Sequence, residues 1–133
     1  GTDRLGRDMF SRIIIGTRTV RVTGELSDSP TSHLIARSLP LRGTARLWGD
    51  EIYFSVPIRT CLENDARQDV EAGDIGYWPE GPALCIFFGP TPASTGPSPR
   101  AYSPVNVVGR VHGDLAVLKD VKDGDTIVVE EVP

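Results

Sequence analysis

The 133-residue sequence predicts a mainly β domain, a closed antiparallel barrel or a sandwich with two short helices. Three observations carry this. About eight short runs rich in β-branched and aromatic residues follow one another, bounded by Gly, Pro, Asn or Asp. No alternation of strands with long helices, the mark of a parallel sheet, is present. The length fits one domain, and 39% hydrophobic with 24% charged residues is the composition of a folded chain.

The elements follow in order. Residues 1–10 read as an N-terminal extension and 11–133 as the barrel domain; Met9, the sole methionine, opens a sensible strand, so 1–8 lie upstream of it. Ser11 to Gly16 is a strand around three isoleucines. Thr19 to Leu26 alternates: Val20, Val22 and Leu26 face one way, and Thr19, Arg21, Thr23 and Glu25 the other, as in the half-buried second arm of a hairpin. Ser29 is placed to cap a helix from Pro30 that carries Leu34, Ile35 and Leu39 and stops at Pro40. Two short strands, Thr44–Trp48 and Glu51–Val56, flank Gly49-Asp50. Glu63 to Gln68 is polar and reads as loop or one turn of helix. A strand from Ile75 to Trp78 leads through Pro79-Glu80-Gly81-Pro82 into 83–88, apolar enough to be buried on both faces. Gly89 to Pro104, rich in proline and serine, reads as a long loop of functional length. Val105–Val111 is a strand, Asp114 caps a short helix, and Thr126–Val132 is the last strand.

Charge and cysteine content exclude some classes of function. The net charge of -4 argues against non-specific binding to nucleic acid or to an anionic membrane surface. The longest apolar run, Ala83 to Phe88, is far too short to cross a bilayer. No apolar leader follows the first residues, and Cys61 and Cys85 read as reduced, mostly buried thiols, so a cytoplasmic protein is expected. His33 and His112 stand in no CxxC or HxxxH spacing with these cysteines, so no metal and no cofactor is expected. The acidic stretch from Glu63 to Asp74 reads as a solvated face. Cys85 lacks a nearby His in sequence and lies in a buried-looking strand, which speaks against a nucleophile.

Three segments are distinctive: Trp48 to Pro57, Gly73 to Pro92, and Pro104 to Val111. Together they resemble small bacterial and archaeal cyclophilin-like proteins, a family of unassigned function. The likeness runs from Ser11 to the C-terminus. It implies a closed eight-stranded antiparallel barrel capped by two short helices. A fainter likeness to true cyclophilins runs through Ile86-Phe87-Phe88, Pro90-Thr91-Pro92, Val108 to Val111, and Leu115 to Val121. That likeness implies prolyl isomerase chemistry, in which an apolar pocket grips the proline ring and an arginine favours the twisted amide. Phe88 matches a pocket aromatic. The segment matching the arginine-bearing strand, Tyr53 to Pro57, has no arginine, and Ala93 to Ser103 lacks the usual Trp and His. Arg59, Arg67 or Arg100 would have to reach the cleft from elsewhere. Gly1 to Arg18 also resembles a segment of dipeptide ABC-transporter permeases, yet no run here is long enough for a spanning helix.

Seven of the nine aromatic residues fall in the distinctive segments. Phe87 and one of Tyr53 or Phe54 are expected in the core. Tyr and Trp combine an apolar body with a polar handle, which suits a site dry inside and wet at its mouth. The expected ligand cleft comprises Trp48, Tyr53, Tyr77, Trp78 and Phe88, with Glu51 and Asn106 as polar anchors. Asp50 and Glu51, as neighbours in a strand, should point to opposite faces and share no site. The expected partner is a small molecule or a proline-containing peptide. Two alternatives are a prolyl isomerase with a non-standard active site and a non-catalytic partner-binding module using the 89–104 loop.

Overall fold

The computed structural model describes residues 6–133. Its strands are β1 (Met9–Gly16), β2 (Arg21–Ser27), β3 (Leu41–Thr44), β4 (Arg46–Leu47), β5 (Glu51–Ser55), β6 (Arg67–Asp69), β7 (Asp74–Trp78), β8 (Ala83–Phe87), β9 (Arg100–His112) and β10 (Thr126–Glu131). Helix α1 spans Pro30–Ser38, and a 3-10 helix spans Leu115–Asp120. The strands form one antiparallel sheet in the order β3-β10-β1-β2-β9-β7-β8-β5-β4, with β6 attached to β9. Among the described residues no helix is long and apolar enough to cross a membrane.

The mainly β architecture with two short helices is the expected one. One correction concerns closure. The end strands β3 and β4 are not hydrogen-bonded to each other, so the barrel is not closed by a ladder. Both belong to one extended stretch, 41–47, whose first half pairs with β10 and whose second half pairs with β5. The joint is Ala45, fully buried and held through its own N–H and C=O to Asp125 and Gly124.

Alternation sets the two faces as the sequence predicts. On β1 and β2, Ile13, Ile15, Val22 and Leu26 enter the main core while Arg12, Arg21 and Thr23 stay outside. Ser29 caps α1, its Oγ accepting from Ser32 N–H at 3.2 Å, and Pro30 occupies the first turn. Ile35 on that helix is fully buried against the barrel. Asp114 caps the 3-10 helix by accepting from Ala116 N–H at 2.9 Å.

β8 is buried along its whole length, and its side chains divide between two cores. Leu84 and Ile86 join the barrel interior with Ile52, Phe54, Ile75 and Tyr77. Cys85 and Phe87 join a second, smaller cluster on the outer face with Val70, Ala101, Val105 and Val107.

Two further corrections concern 63–69 and 89–104. Arg67–Asp69 forms β6, which no apolar pattern announces, because it is held to β9 by backbone pairing and by polar side chains, Gln68 Nε2 donating to the Ala101 and Tyr102 carbonyls and Arg100 meeting Gln68 and Asp69. β9 begins at Arg100, so the loop ends at Pro99. Pro104 is tolerated inside that strand because this half of β9 has only the short β6 beside it, with an irregular register.

β9 changes faces at a bulge. Its register with β7 slips between Gly76↔Val107 and Ile75↔Gly109, leaving Val108 outside the ladder. The freed Val108 carbonyl accepts from Ser32 Oγ at 2.9 Å and Ser27 Oγ at 3.1 Å. A buried carbonyl is thus satisfied, and α1 is tied to the barrel by the same bonds.

Past the bulge, Gly109 lies opposite Leu26 of β2, and a Cβ there would sit on the Glu25 carbonyl oxygen. The clash is with backbone, so the strands must part. Gly109→Ala is expected to lower stability by about 1–3 kcal/mol. An unchanged urea midpoint would contradict this account of the β2–β9 contact.

Candidate functional site

The outer face of β5, β7, β8 and β9 carries a cleft of about 160 Å³ lined by Trp48, Glu51, Tyr53, Trp78, Cys85, Ala101, Tyr102 and Val105. Alternation builds its floor. Glu51 and Tyr53 are two apart on β5, and Cys85 lies opposite Tyr53 on β8, so the three side chains share one face. Trp78 ends β7 on the same face, and β9 supplies Ala101, Tyr102 and Val105.

Trp48 is held by a tight turn. Its N–H donates to Glu51 C=O at 2.9 Å and its C=O accepts from Glu51 N–H at 3.2 Å. Gly49 turns this corner at φ +60°, and a Cβ there would meet Pro92 Cδ and Thr91 Cα at 2.9 Å. The turn is buttressed by the loop after β8: Asp50 N–H donates to Pro90 C=O at 3.0 Å, and Phe88 N–H to Asp50 C=O at 2.9 Å. Thr91, itself buried, bonds the Arg100 carbonyl through its hydroxyl at 2.5 Å, linking this loop to the start of β9.

Tyr102 stands at the mouth. Its ring centroid lies 6.0 Å from that of Trp48 and 6.0 Å from that of Trp78, at interplanar angles of 73° and 81°. Trp78 is oriented by its Nε1–H, which donates to Ser103 Oγ at 2.6 Å, and Ser103 Oγ in turn donates to the Glu80 carboxylate.

The chemistry of the floor is set by burial. Glu51 is only 6% exposed, and desolvation pushes its carboxyl up from the usual 4.5 to about 7 against a smaller opposing effect of its hydrogen bond with Cys85. The Cys85 thiol is pushed well above its ordinary value, first by burial and then by the neighbouring Glu51 charge and hydrogen bond. Cys85 is therefore a neutral thiol at physiological pH and a poor nucleophile. Glu51 can hold or release a proton near neutrality.

The expected site residues divide. Trp48, Glu51, Tyr53 and Trp78 come together in the cleft. Tyr77 points to the opposite face, fully buried in the main core, where its hydroxyl donates to Ile58 C=O at 2.6 Å and accepts from Thr60 N–H at 3.1 Å. Phe88 packs against that same core from its rim. Asn106 is buried and stitches the 61–63 segment to the barrel: its Nδ2 donates to Cys61 C=O at 3.0 Å and Thr31 Oγ1 at 2.9 Å, and its Oδ1 accepts from Glu63 N–H at 2.8 Å. Tyr102, Ala101 and Val105 were not among the expected residues, since the first two fall in a stretch that reads as loop. Tyr102 had one signal, an aromatic ring among Pro and Ser. Among the described residues the cleft lining contains no arginine; Arg67 and Arg100 line a neighbouring hollow with Asp69 and Glu71. No group of His, Cys, Asp and Glu among the described residues is arranged to hold a metal ion.

A small antiparallel β domain of ten strands and two short helices, with an outer-face cleft, is the class that fold and site define. The chain belongs to the cyclophilin-like family, whose model matches residues 11–130. It is similar to the hypothetical protein AF2241 from Archaeoglobus fulgidus, solved in solution, at 39% identity and a TM-score of 0.79, covering 95% of this chain and 98% of that one. McbB, solved in complex with tryptophan, shares the fold alone, at 18% identity and a TM-score of 0.63, covering 89% of this chain and 44% of its own. No curated protein matches the chain.

Two outcomes follow from the floor. In the folded chain Glu51 keeps its proton to about pH 7, whereas unfolded it ionises near 4.5. Over that interval the folded state binds more protons, so this group's contribution to stability falls as pH rises and levels off above about 7. Glu51→Gln is expected to match the native protein at about pH 4 and to exceed it by up to about 3 kcal/mol at about pH 8. Superimposable pH–stability profiles for the two proteins would contradict the raised carboxyl. Independently, iodoacetamide at about pH 8 is expected to alkylate exposed Cys61 and spare buried Cys85 until the chain unfolds, as mass spectrometry of peptides would show.

Proposed function

We propose that the outer-face cleft binds one ring-sized group of a small molecule or of a proline-containing peptide, with Glu51 as its polar anchor. The observation that carries this is the convergence of Trp48, Tyr53, Trp78 and Tyr102, from three stretches of the chain, over a buried carboxyl. The volume of about 160 Å³ decides the scale. Drug-sized ligands need roughly 300 Å³ or more, whereas a cavity of about 150 Å³ takes one benzene. Trp48 and Trp78 are the chain's two tryptophans, so its intrinsic fluorescence reports on this cleft. Binding without turnover is favoured over prolyl isomerisation because the lining, among the described residues, offers no guanidinium to a twisting amide. The two free thiols support a reducing, cytoplasmic setting.

A panel of small ring compounds and X-Pro peptides is expected to give at least one saturable change in tryptophan fluorescence. Tyr102→Ala removes one exposed aromatic wall and is expected to weaken that binding about three- to tenfold, the worth of one aromatic contact. A flat response across the panel by folded protein counts against a ligand cleft here. Catalysed isomerisation of the peptides, lost in Tyr102→Ala, would replace simple binding with the isomerase reading.

A further inference from the structure

We propose that the group this cleft takes is an organic ammonium, an alkylated or methylated amine seated between the two indoles and above the Glu51 carboxylate. The inference rests on the outer-face cleft being a ligand site and adds the charge of its ligand.

Three observations and one general property of aromatic rings point to a cation. Tyr102 stands nearly perpendicular to both Trp48 and Trp78, so the cleft is walled by aromatic rings in at least two planes. Aromatic faces carry negative potential, Trp most strongly, and attract ammonium groups, above all when water is excluded. The single ionisable carboxyl of the lining, Glu51, lies at the floor, and among the described residues no lining side chain is cationic. The volume suits a compact head group and leaves no room for a large one.

Electrostatics separates a cation from a neutral ring. A neutral ligand closing the cleft would bury Glu51 further and leave it without a counter-charge, favouring its protonated form. An ammonium would supply the counter-charge that the floor lacks. Binding should then draw the carboxyl into its ionised form and release a proton below neutrality.

The other titratable groups around Glu51 are few. Cys85 faces it from β8 and stays neutral. Tyr53 from β5 and Tyr102 from β9 line the same cleft. Asp50 precedes it in the turn and packs beside Gly89. On β7, Asp74 is engaged by Arg110 at 2.8 Å, and Glu80 lies at the rim behind Ser103 and Trp78.

The test titrates choline into the full chain, followed by tryptophan fluorescence. Its uncharged analogue, with a quaternary carbon in place of nitrogen, is titrated in parallel. At about pH 8.5 choline is expected to bind at least about tenfold more tightly than the analogue. With the carboxyl poised near 7, its ionised fraction falls about thirtyfold between about pH 8.5 and about pH 5.5, and choline affinity should fall by a similar factor. Glu51→Gln is expected to erase the pH dependence and most of the preference for charge. Should that variant fail to fold, the comparison of ligands and pH on the native protein decides alone. Equal binding of the two compounds, or binding of neutral rings and X-Pro peptides with none of choline, overturns the ammonium assignment and leaves the cleft a neutral-ring site. Silence toward every compound takes the ligand-site reading down with it.

Discussion

The carbonyl of Val108 has to be satisfied inside the protein, and much of the molecule is arranged around that requirement. Before it on β9, Val105 and Val107 face outward, into the small cluster beside the cleft. At and beyond it, Val108 and Val111 face inward, into the barrel. Val107 and Val111 have the same parity, so an unbroken strand would keep both on one face; the bulge shifts the alternation and turns Val111 into the barrel. The bulge displaces a backbone acceptor, and Ser27 and Ser32 supply the donors. Ser32 also receives its own N-terminal cap from Ser29, so the start of α1, the end of β2 and the bend in β9 form one bonded unit. The wall that carries Ala101, Tyr102 and Val105 is the stretch of β9 that precedes this bulge.

The second organising fact is a conflict between burial and charge. Most buried polar groups here have partners: Asn106 makes three bonds, and Asp74 meets Arg110 and the Glu71 N–H. Glu51 differs. Its hydrogen-bond partner is the Cys85 thiol, a weak one, and the rest of the cleft lining is aromatic or aliphatic. Folding gains nothing from a carboxyl in that position when it is ionised. Groups that strain against local stability in a concave site are where function is usually found.

Much of the fold was legible in the sequence, for identifiable reasons. The alternation of Val20, Val22 and Leu26 was strong enough to assign faces, and Ser29-Pro30 marked a helix start by capping chemistry that needs no tertiary context. The apolar run at 83–88 read correctly as buried on both sides. β6 escaped because Arg67-Gln68-Asp69 has no apolar member; backbone pairing and polar side-chain bonds to β9 hold it, and neither leaves a periodic apolar mark. The start of β9 escaped because its prolines and serines are those of a loop, and only the edge-like position of that half makes them tolerable. Part of the cleft was legible too. Aromatics beside a Gly-Asp turn located Trp48, Glu51 and Tyr53. Parity decided the rest: Tyr77 and Trp78 are adjacent, so only one could face outward, and the sequence carried no indication of which. Asn106 had the right chemistry for an anchor, but its bonds are spent on the 61–63 segment.

The joint at Ala45 also bears on how the molecule behaves in company. An open sheet ordinarily offers two edges on which another chain can build a strand. Here both ends of the strand order lie on the same seven-residue stretch, 41–47, in pieces of four and two residues. A visiting strand would find there a template too short to hold it. The seam thereby guards against strand-to-strand aggregation without a ladder to seal it.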